Sequence, residues 1–295
     1  YHWDLPLALE LRGGWTNREV LYWFSDYVQV CVKAFGDKVR HWMVLNEPMG
    51  FTGAGYFLGL HAPGKKGLSN FLPAAHHANL AQSLGARMIR SISPDAIIGT
   101  TYSFSHLDPK RDTSSDHKAV RITDALLNWM FLEPTLGLGY PVAEFPLLQR
   151  MEDYYFVGDE QLMPFDFDFV GVQVYTREII RHSWSTPIVR AKVIEANKRD
   201  VPVTEMNWEV YPQSVYHVLK KVAAHDKVKK IIVTENGAAF KDHPVDGTVK
   251  DLDRQQYLAD HMAQVLRAKN EGLRCAGRYF VWTFTDNFEW AEGYN

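Results

Sequence analysis

The sequence predicts an α/β fold built on a parallel sheet, a (β/α)8 barrel of which part is present. Apolar stretches of strand length alternate with helical stretches along the chain, an order that is typical of parallel sheets. The last five predicted strand ends lie roughly 60 residues apart, so eight such units need on the order of 480 residues. The chain has 295 residues. We therefore expect strands 3 to 8, in a single partial barrel domain over residues 1–295.

Each element has a local signal in the sequence. Helices are predicted from apolar residues at spacings of three and four, and their ends from capping residues, glycine and proline. Strands are predicted from short β-branched runs that end at turn residues. In chain order the predictions are a strand ending at Asp4, a capping box at 16–19, a helix to Gly36, a strand over 39–45, a glycine-rich loop over 49–68, a helix over 72–91, a strand over 96–102, a helix over 118–132, a strand over 167–175, a polar loop over 177–209, a helix around 215–222, a strand over 231–234, a helix over 252–268 and a strand over 277–285.

Two of these strands run directly into a glutamate. Ile231-Ile232-Val233-Thr234 is followed by Glu235 and then by an Asn-Gly turn, and the apolar strand over 39–45 leads to Asn46, Glu47 and Pro48. Continuous apolar runs are typical of strands buried on both faces of a parallel sheet. Because catalytic groups of α/β barrels lie at the carboxyl ends of the strands, we expect both glutamates at the same rim.

A pair of carboxyl groups at one rim suits cleavage of a glycosidic bond, in which one acts as an acid and the other as an anion. At a separation of about 5 Å the second carboxylate attacks the sugar directly, whereas at about 6.5–9.5 Å a water molecule attacks instead. The sequence leaves this choice open. A single glutamate is more often a solvated charge or a helix cap, so the hypothesis depends on the pair.

Composition excludes several other classes. The net charge of −3 argues against a nucleic-acid partner, and the sequence lacks the run of 18 apolar residues that a membrane span needs. Two cysteines are expected to be buried thiols rather than a disulfide, and we expect a cytoplasmic protein. His76 and His77 are adjacent on a predicted helix and face different ways, which argues against a shared metal ion. The oligomeric state is left open.

Several motifs together resemble glycoside hydrolase family 1, the β-glucosidases. They are collinear with the family over essentially the whole chain. The motifs are Tyr1-His2-Trp3-Asp4-Leu5-Pro6, Leu45-Asn46-Glu47-Pro48, His61-Ala62-Pro63-Gly64, Thr204-Glu205-Met206-Asn207-Trp208-Glu209, Val233-Thr234-Glu235-Asn236-Gly237 and Asp286-Asn287-Phe288-Glu289-Trp290-Ala291-Glu292-Gly293-Tyr294.

The resemblance implies a role for each matching residue. Glu235 would be the nucleophile and Glu47 the general acid and then the general base, with Tyr175 donating a hydrogen bond to Glu235. The substrate-binding residues implied are Asn46 at the 2-hydroxyl, His2 and Trp3 at the 3-hydroxyl, Trp282 as a stacking floor, Glu289 and Trp290 at the 4- and 6-hydroxyls, Trp208 beside the leaving group, and Gln173 near both glutamates. No metal or cofactor is implied.

The same resemblance implies a retaining β-glycosidase that acts on small β-glucosides, β-galactosides or oligosaccharides from the non-reducing end. Glu289 beside Trp290 favours a neutral sugar over a 6-phosphorylated one. Gln173 departs from the family, which usually has Asn at this position, although the longer side chain could still reach the site. Two alternatives stay open, a catalytically inactive sugar- or protein-binding domain of the same fold and a transglycosidase.

Overall fold

The computed structural model describes residues 1–290 and 293, so Ala291, Glu292 and Tyr294 of the C-terminal motif lie outside the described residues. The strands are β1 (His41–Asn46), β2 (Ile97–Ser103), β3 (His106–Pro109), β4 (Phe169–Gln173), β5 (Arg177–His182), β6 (Ala191–Val193), β7 (Ile231–Asn236), β8 (Pro244–Val245), β9 (Thr248–Val249) and β10 (Cys275–Val281). The α-helices are α1 (Leu7–Glu10), α2 (Val20–Phe35), α3 (Leu68–Ile92), α4 (Ser114–Asp124), α5 (Leu132–Thr135), α6 (Asp159–Leu162), α7 (Gln213–Ala223) and α8 (Leu252–Asn270).

The chain packs as two compact units. The first contains residues 1–103, 129–171 and the described residues from 287 onward, and the second contains residues 104–128 and 172–286. The boundary falls within β4, whose residues up to Gly171 belong to the first unit. The single partial domain over residues 1–295 stays a prediction.

The first unit is built on two parallel strands and one long helix. Strands β1 and β2 pair with His41 opposite Ile97, and β2 is followed in the sheet by β4. Helix α3 contacts α2 and both strands, and most of its 25 residues are buried. His76 and His77 lie on this helix. The His76 ring is hydrogen-bonded to Tyr140 and Asp159 and the His77 ring to Trp15 O, as expected for side chains facing different ways.

The second unit continues the parallel pattern. Strand β7 follows β4 in the sheet and pairs in parallel with β10, with Cys275 opposite Ile231. Ile231, Ile232 and Val233 are all buried, as their apolar run predicts. Helices α7 and α8 pack against each other and against β7 and β10 respectively, which gives the strand and helix layers expected of an α/β fold.

Three local predictions were wrong near the N-terminus. Tyr1–Asp4 is not a regular strand, although the Tyr1 carbonyl accepts from Asn46 N at 2.9 Å. The capping box at 16–19 does not form, because the Thr16 hydroxyl donates to Gly13 O and the Glu19 carboxylate binds Arg12. The helix consequently begins at Val20. The glycine-rich segment predicted as a loop contains a π-helix, Gly50–Leu58.

Two further predictions were wrong farther along the chain. The polar segment over 177–209 contains β5 and β6, which form a three-stranded sheet with β3. In strand β5 the adjacent residues Ile179 and Ile180 are flanked by charged residues on both sides, without the alternation typical of a strand, and its parallel partner β3 is far away in the sequence. No local pattern therefore identified it. The helix predicted over 118–132 begins earlier, because Thr113 caps it by accepting from Asp116 N, and becomes a π-helix at Ala125–Trp129.

Buried charges join this second sheet to the segment that precedes α7. Arg177 binds Glu209 through two hydrogen bonds of 3.0 and 2.7 Å and reaches Asp108 at 3.1 Å. Arg199 binds the same Glu209 at 2.6 Å. Burial raises the pKa of Glu209, but the two guanidinium groups outweigh it and hold this pKa below the ordinary value. Glu209 is therefore an ionised, paired carboxylate.

Glu178 is the one carboxyl of this cluster with a raised pKa. Burial, aided by the nearby Glu209 charge and opposed by Arg199, raises the pKa of Glu178 to about 7. A carboxyl whose pKa is higher in the folded than in the unfolded chain destabilises the fold above the unfolded pKa of 4.5, and the penalty reaches its full size above about pH 7.

Replacing Glu178 with Gln is therefore expected to stabilise the protein at pH 8 by on the order of 3 kcal/mol. The gain should shrink towards zero as the pH falls to about 4.5, where the wild-type carboxyl is protonated in both states. Urea unfolding across pH 4.5–8 measures this difference. The exposed Glu160→Gln exchange serves as the control. An equal effect of Glu178→Gln at both ends of the range would contradict the assignment.

Three further observations bear on predictions from the sequence. No helix among residues 1–290 has the length and apolar character required to cross a bilayer. Cys31 and Cys275 are both free thiols, and both are half-buried, so the prediction that they are buried was wrong. In the described part of the chain, no three His, Cys, Asp or Glu side chains converge as metal ligands would.

Candidate active site

Glu47 directly follows β1 in the first unit. Its backbone has a φ of 47°, in the left-handed region that residues with a side chain seldom adopt. Glu47 N donates to Thr101 O on β2 at 3.1 Å, and Pro48 follows immediately. The carboxyl side chain is 18% exposed. This turn places a partly buried carboxyl group at the carboxyl end of a parallel strand, where α/β barrels carry their functional groups.

His2 contacts both residues at the end of β1. Its Nδ1 lies 3.0 Å from Asn46 O, and its Nε2 lies 3.6 Å from Glu47 Oε2. Burial lowers the pKa of His2, outweighing the hydrogen bond to Asn46, so the ring is neutral near pH 7. Because a carbonyl can only accept, Nδ1 carries the proton and donates to Asn46 O. The Nε2 lone pair then faces Glu47.

Trp3 and Trp290 form an aromatic cluster in the same unit. Their rings stack with centroids 4.2 Å apart, and His2 meets Trp290 edge-on at 4.7 Å. His61 stacks on Trp290 at 4.5 Å, a contact that the sequence analysis did not assign to the site. Glu289 precedes Trp290 and accepts from Asn287 Nδ2 at 3.1 Å. Stacked rings of this kind offer rigid apolar faces with polar edges.

In the second unit, Glu235 is held by two hydrogen bonds. Gln173 Nε2 donates to Glu235 Oε1 at 2.6 Å, and the Tyr175 hydroxyl donates to Glu235 Oε2 at 2.7 Å. Both donors come from β4 and the residues just after it, beside β7. The Gln side chain thus reaches the carboxylate despite its extra methylene relative to Asn. Hydrogen bonds to both oxygens favour the ionised form of a carboxylate.

A second set of side chains, which no sequence pattern predicted, holds this pair in place. The Tyr257 hydroxyl donates to Tyr175 O at 2.9 Å and lies 3.3 Å from Asn236 Nδ2, which can donate to it. Asn236 also donates to Val174 O, and Tyr279 donates to Asn236 Oδ1. Tyr257 is 1% exposed. On a predicted helix it had the pattern of an ordinary core residue, so no sequence signal set it apart.

Trp208 and Trp282 are also in the second unit. The Trp208 ring lies 5.1 Å from the Tyr175 ring. Trp282 follows β10, donates its backbone N–H to Asn236 O at 3.0 Å and is 43% exposed. Gly237 allows this approach, since a Cβ atom there would lie 1.9 Å from Trp282 O. Trp208 therefore lies beside Tyr175, and Trp282 lies on a segment that is hydrogen-bonded to Asn236, the residue after Glu235.

The structure therefore collects the sequence-predicted site residues in two groups. The first unit contains His2, Trp3, Asn46, Glu47, Glu289 and Trp290, and the second contains Gln173, Tyr175, Trp208, Glu235 and Trp282. Each group has a glutamate at the end of a parallel strand together with aromatic rings. Carboxyl groups, hydrogen-bonding side chains and flat aromatic faces are the elements that bind and cleave carbohydrates.

Comparison with known proteins decides the family. The sequence profile described as Glycosyl hydrolase family 1 matches residues 1–295. The chain belongs to glycosyl hydrolase family 1. Among its family 1 relatives, Beta-glucosidase A of Thermotoga maritima is 38% identical over 299 residues, which cover 100% of this chain and 66% of that protein.

Solved structures agree with this family 1 assignment. The AHE enzyme from Alicyclobacillus herbarius matches with a TM-score of 0.93 and 36% identity, over 100% of this chain and 65% of that one. The Thermotoga maritima β-glucosidase in complex with deoxynojirimycin also matches with a TM-score of 0.93 and 36% identity, over 100% of this chain and 66% of that one. The chain thus spans slightly less than two thirds of the length of these relatives. The predicted partial (β/α)8 fold is confirmed.

Proposed function

We propose that the protein is a retaining β-glycosidase that cleaves β-glucosides or β-galactosides from the non-reducing end. The observation that carries this proposal is the setting of Glu235, whose two oxygens accept from Gln173 at 2.6 Å and Tyr175 at 2.7 Å. Donors to both oxygens keep a carboxylate ionised and oriented, which is what a nucleophile in double displacement requires.

In this proposal Glu47 is the general acid of the first step and the general base of the second. An acid must hold its proton at the working pH. The neutral His2 ring, with its Nε2 lone pair facing Glu47 Oε2 at 3.6 Å, adds no positive charge that would favour loss of that proton. In the first step Glu47 protonates the leaving oxygen while Glu235 attacks the anomeric carbon, so that the glycosidic bond breaks and a bond between the sugar and Glu235 forms. In the second step Glu47 takes a proton from a water molecule, whose oxygen attacks the anomeric carbon and breaks the bond to Glu235, which releases the sugar.

The remaining side chains would bind the sugar. Asn46 is proposed to bind the 2-hydroxyl, a contact that strengthens in the transition state, while His2 and Trp3 bind the 3-hydroxyl. Glu289 and Trp290 are assigned to the 4- and 6-hydroxyls. Trp282 is proposed as the stacking floor and Trp208 as a neighbour of the leaving group, since both expose part of an indole ring.

The substrate is proposed to be a neutral β-glycoside. Glu289 favours this, because its carboxylate suits sugar hydroxyls and would repel a 6-phosphate. The Thermotoga maritima relatives that are named β-glucosidases, one of them in complex with deoxynojirimycin, support the same substrate class.

Hydrolysis of 4-nitrophenyl β-D-glucoside followed by proton NMR tests the proposal. The first product should be the β-anomer of glucose, because two displacements restore the configuration. Initial formation of the α-anomer contradicts double displacement. No hydrolysis indicates a sugar-binding domain without activity, and a product glycosylated on an added alcohol in preference to hydrolysis indicates a transglycosidase.

Tyr257 is proposed as a positioning residue for the nucleophile. Replacing it with Phe removes the hydroxyl that donates to Tyr175 O and faces Asn236. We expect kcat to fall roughly tenfold with KM nearly unchanged. Each lost hydrogen bond costs about 1 kcal/mol, and the loss weakens stabilisation of the transition state rather than binding of the substrate. Steady-state kinetics measure this.

Tyr216→Phe is the matched control, because this tyrosine also lies in the second unit but donates its hydroxyl to Glu271, at 2.6 Å, rather than to Tyr175. It should leave kcat unchanged. If Tyr257→Phe lowers the unfolding temperature but not kcat, Tyr257 has a structural role only.

A further inference from the structure

Strands β5 and β6 of the second unit form an antiparallel hairpin, residues 177–193. Its turn is closed by hydrogen bonds among its own backbone groups. Ser183 N donates to Arg190 O at 2.9 Å, and Arg190 N donates to Thr186 O at 2.7 Å. These bonds fix the backbone that carries Trp184, and residues 177–193 are therefore called the Trp184 hairpin.

The Trp184 side chain is held in place although most of it lies in solvent. The residue is 75% exposed. The Arg190 guanidinium carbon lies 4.8 Å from the centroid of the indole, and the His182 ring meets the indole edge-on at 5.0 Å. A guanidinium over an indole is an attractive contact, and it occupies one face of the ring. The opposite face is a flat apolar surface that is open to a partner.

Arg181 and Lys192 lie directly opposite each other on the two strands of the hairpin. Ile180, next to Arg181, is fully buried in a cluster with Leu107 and Ala119. Because successive side chains of a strand point to opposite faces, Arg181 and Lys192 point away from this cluster, and both are exposed. Like charges directly opposite each other destabilise a pair of strands. An anion bound between them relieves this repulsion.

The part of the hairpin that carries these charges has no acidic residue. Residues 179–194 contain three arginines or lysines and no aspartate or glutamate. Glu178 precedes them on the same face as the buried Ile180, and Glu195 follows them but is paired with Lys198 at 2.9 Å. The exposed face of the hairpin is therefore positive, on a chain whose net charge is −3, and it fits an anionic partner.

We propose that the exposed face of the Trp184 hairpin binds a polyuronate, which is a polysaccharide whose sugar rings carry carboxylates. One ring stacks on the free face of Trp184, and carboxylates of the polymer pair with Arg181 and Lys192. A polyuronate supplies the flat ring and the negative charge together. The inference goes beyond the proposed function and does not depend on it, because the polymer is bound and not cleaved.

Two other anionic partners fit this surface less well. The negative net charge of the chain disfavours a nucleic acid. Binding to an anionic membrane requires an apolar face that inserts between the lipids. The Trp184 indole is instead held by Arg190 and His182. Besides it, the turn over residues 183–190, all of which the structure describes, exposes one further large apolar side chain, that of Ile188.

Calorimetry with the full chain tests the proposal by comparing three polymers. Polygalacturonate has rings and charges, its full methyl ester has the rings alone, and poly-L-glutamate has the charges alone. We expect polygalacturonate to bind roughly tenfold more tightly than either of the others. Trp184→Ala should weaken polygalacturonate binding about tenfold. The double exchange Arg181→Gln/Lys192→Gln should weaken it about fivefold.

Tyr22→Ala and the double exchange Lys38→Gln/Lys250→Gln are the matched controls. They remove an exposed ring and two exposed charges outside the hairpin, and both should leave the affinity unchanged. The Arg181→Gln/Lys192→Gln variant should keep or raise the unfolding temperature, because a repulsion is removed, so its weaker binding is not a loss of fold. The proposal is overturned if polygalacturonate does not bind, if poly-L-glutamate binds equally well, or if phosphatidylglycerol vesicles bind in its place.

Discussion

Replacing Glu235 with Gln is expected to lower kcat/KM for 4-nitrophenyl β-D-glucoside by roughly 10³-fold or more. The amide cannot form the covalent bond to the sugar that divides the reaction into two displacements. It also replaces one acceptor oxygen by an NH₂ group, so it cannot accept from both Gln173 and Tyr175. Steady-state kinetics with purified variants measure the loss.

The control for this exchange is Glu160→Gln, which changes an exposed carboxylate in the first turn of α6. It should keep the wild-type rate. A shorter variant, Glu235→Ala, gives a sharper test, because azide can enter the vacated space and attack the opposite face of the sugar. The product should be the α-glucosyl azide. A Glu235→Gln enzyme with more than a tenth of the wild-type activity would exclude Glu235 as the nucleophile.

Replacing Glu47 with Gln is expected to slow the enzyme in a way that depends on the leaving group. Cellobiose has a poor leaving group, and loss of the general acid should reduce its kcat by about 10²–10⁴-fold. For 2,4-dinitrophenyl β-D-glucoside the first step needs no proton, so it should proceed almost normally. The second step needs Glu47 as a base and should become limiting.

Stopped-flow measurement of dinitrophenolate release tests this pattern. The Glu47→Gln variant should release a rapid burst of one equivalent per active site, followed by slow turnover, because the glycosyl-enzyme accumulates. The wild type provides the reference without a long-lived intermediate. Equal losses for both substrates, with no burst, would place Glu47 outside acid–base catalysis and leave it as a binding group.

Much of the fold follows from local sequence patterns. The apolar run at 231–233 predicts a buried strand, and Ile231, Ile232 and Val233 are buried as expected. The helix predicted over 252–268 is present as Leu252–Asn270. Both segments could be predicted from their own residues. The spacing of apolar residues within a segment reflects which of its faces are buried, whatever the rest of the chain does.

The elements that were missed depend on partners far away in the chain. Strand β5 needs β3, and its Arg177 needs Asp108 and Glu209. A single strand with charged residues on it has no local pattern that distinguishes it from a polar loop. The same limit applies to Tyr257, whose hydroxyl acquires its contact with Tyr175 only through the tertiary fold. Glu47 and Glu235 could be singled out because each ends an apolar run.

The stacking of Trp3 on Trp290 also constrains when the first unit can be completed during synthesis on the ribosome. These two indoles are nearly the whole chain apart, and synthesis proceeds from the N-terminus at about 5–20 residues per second. The nascent chain must therefore carry His2 and Trp3 without their partner Trp290 for about 15–60 s. During that interval any factor that binds exposed tryptophan can reach the segment that later contacts Glu47.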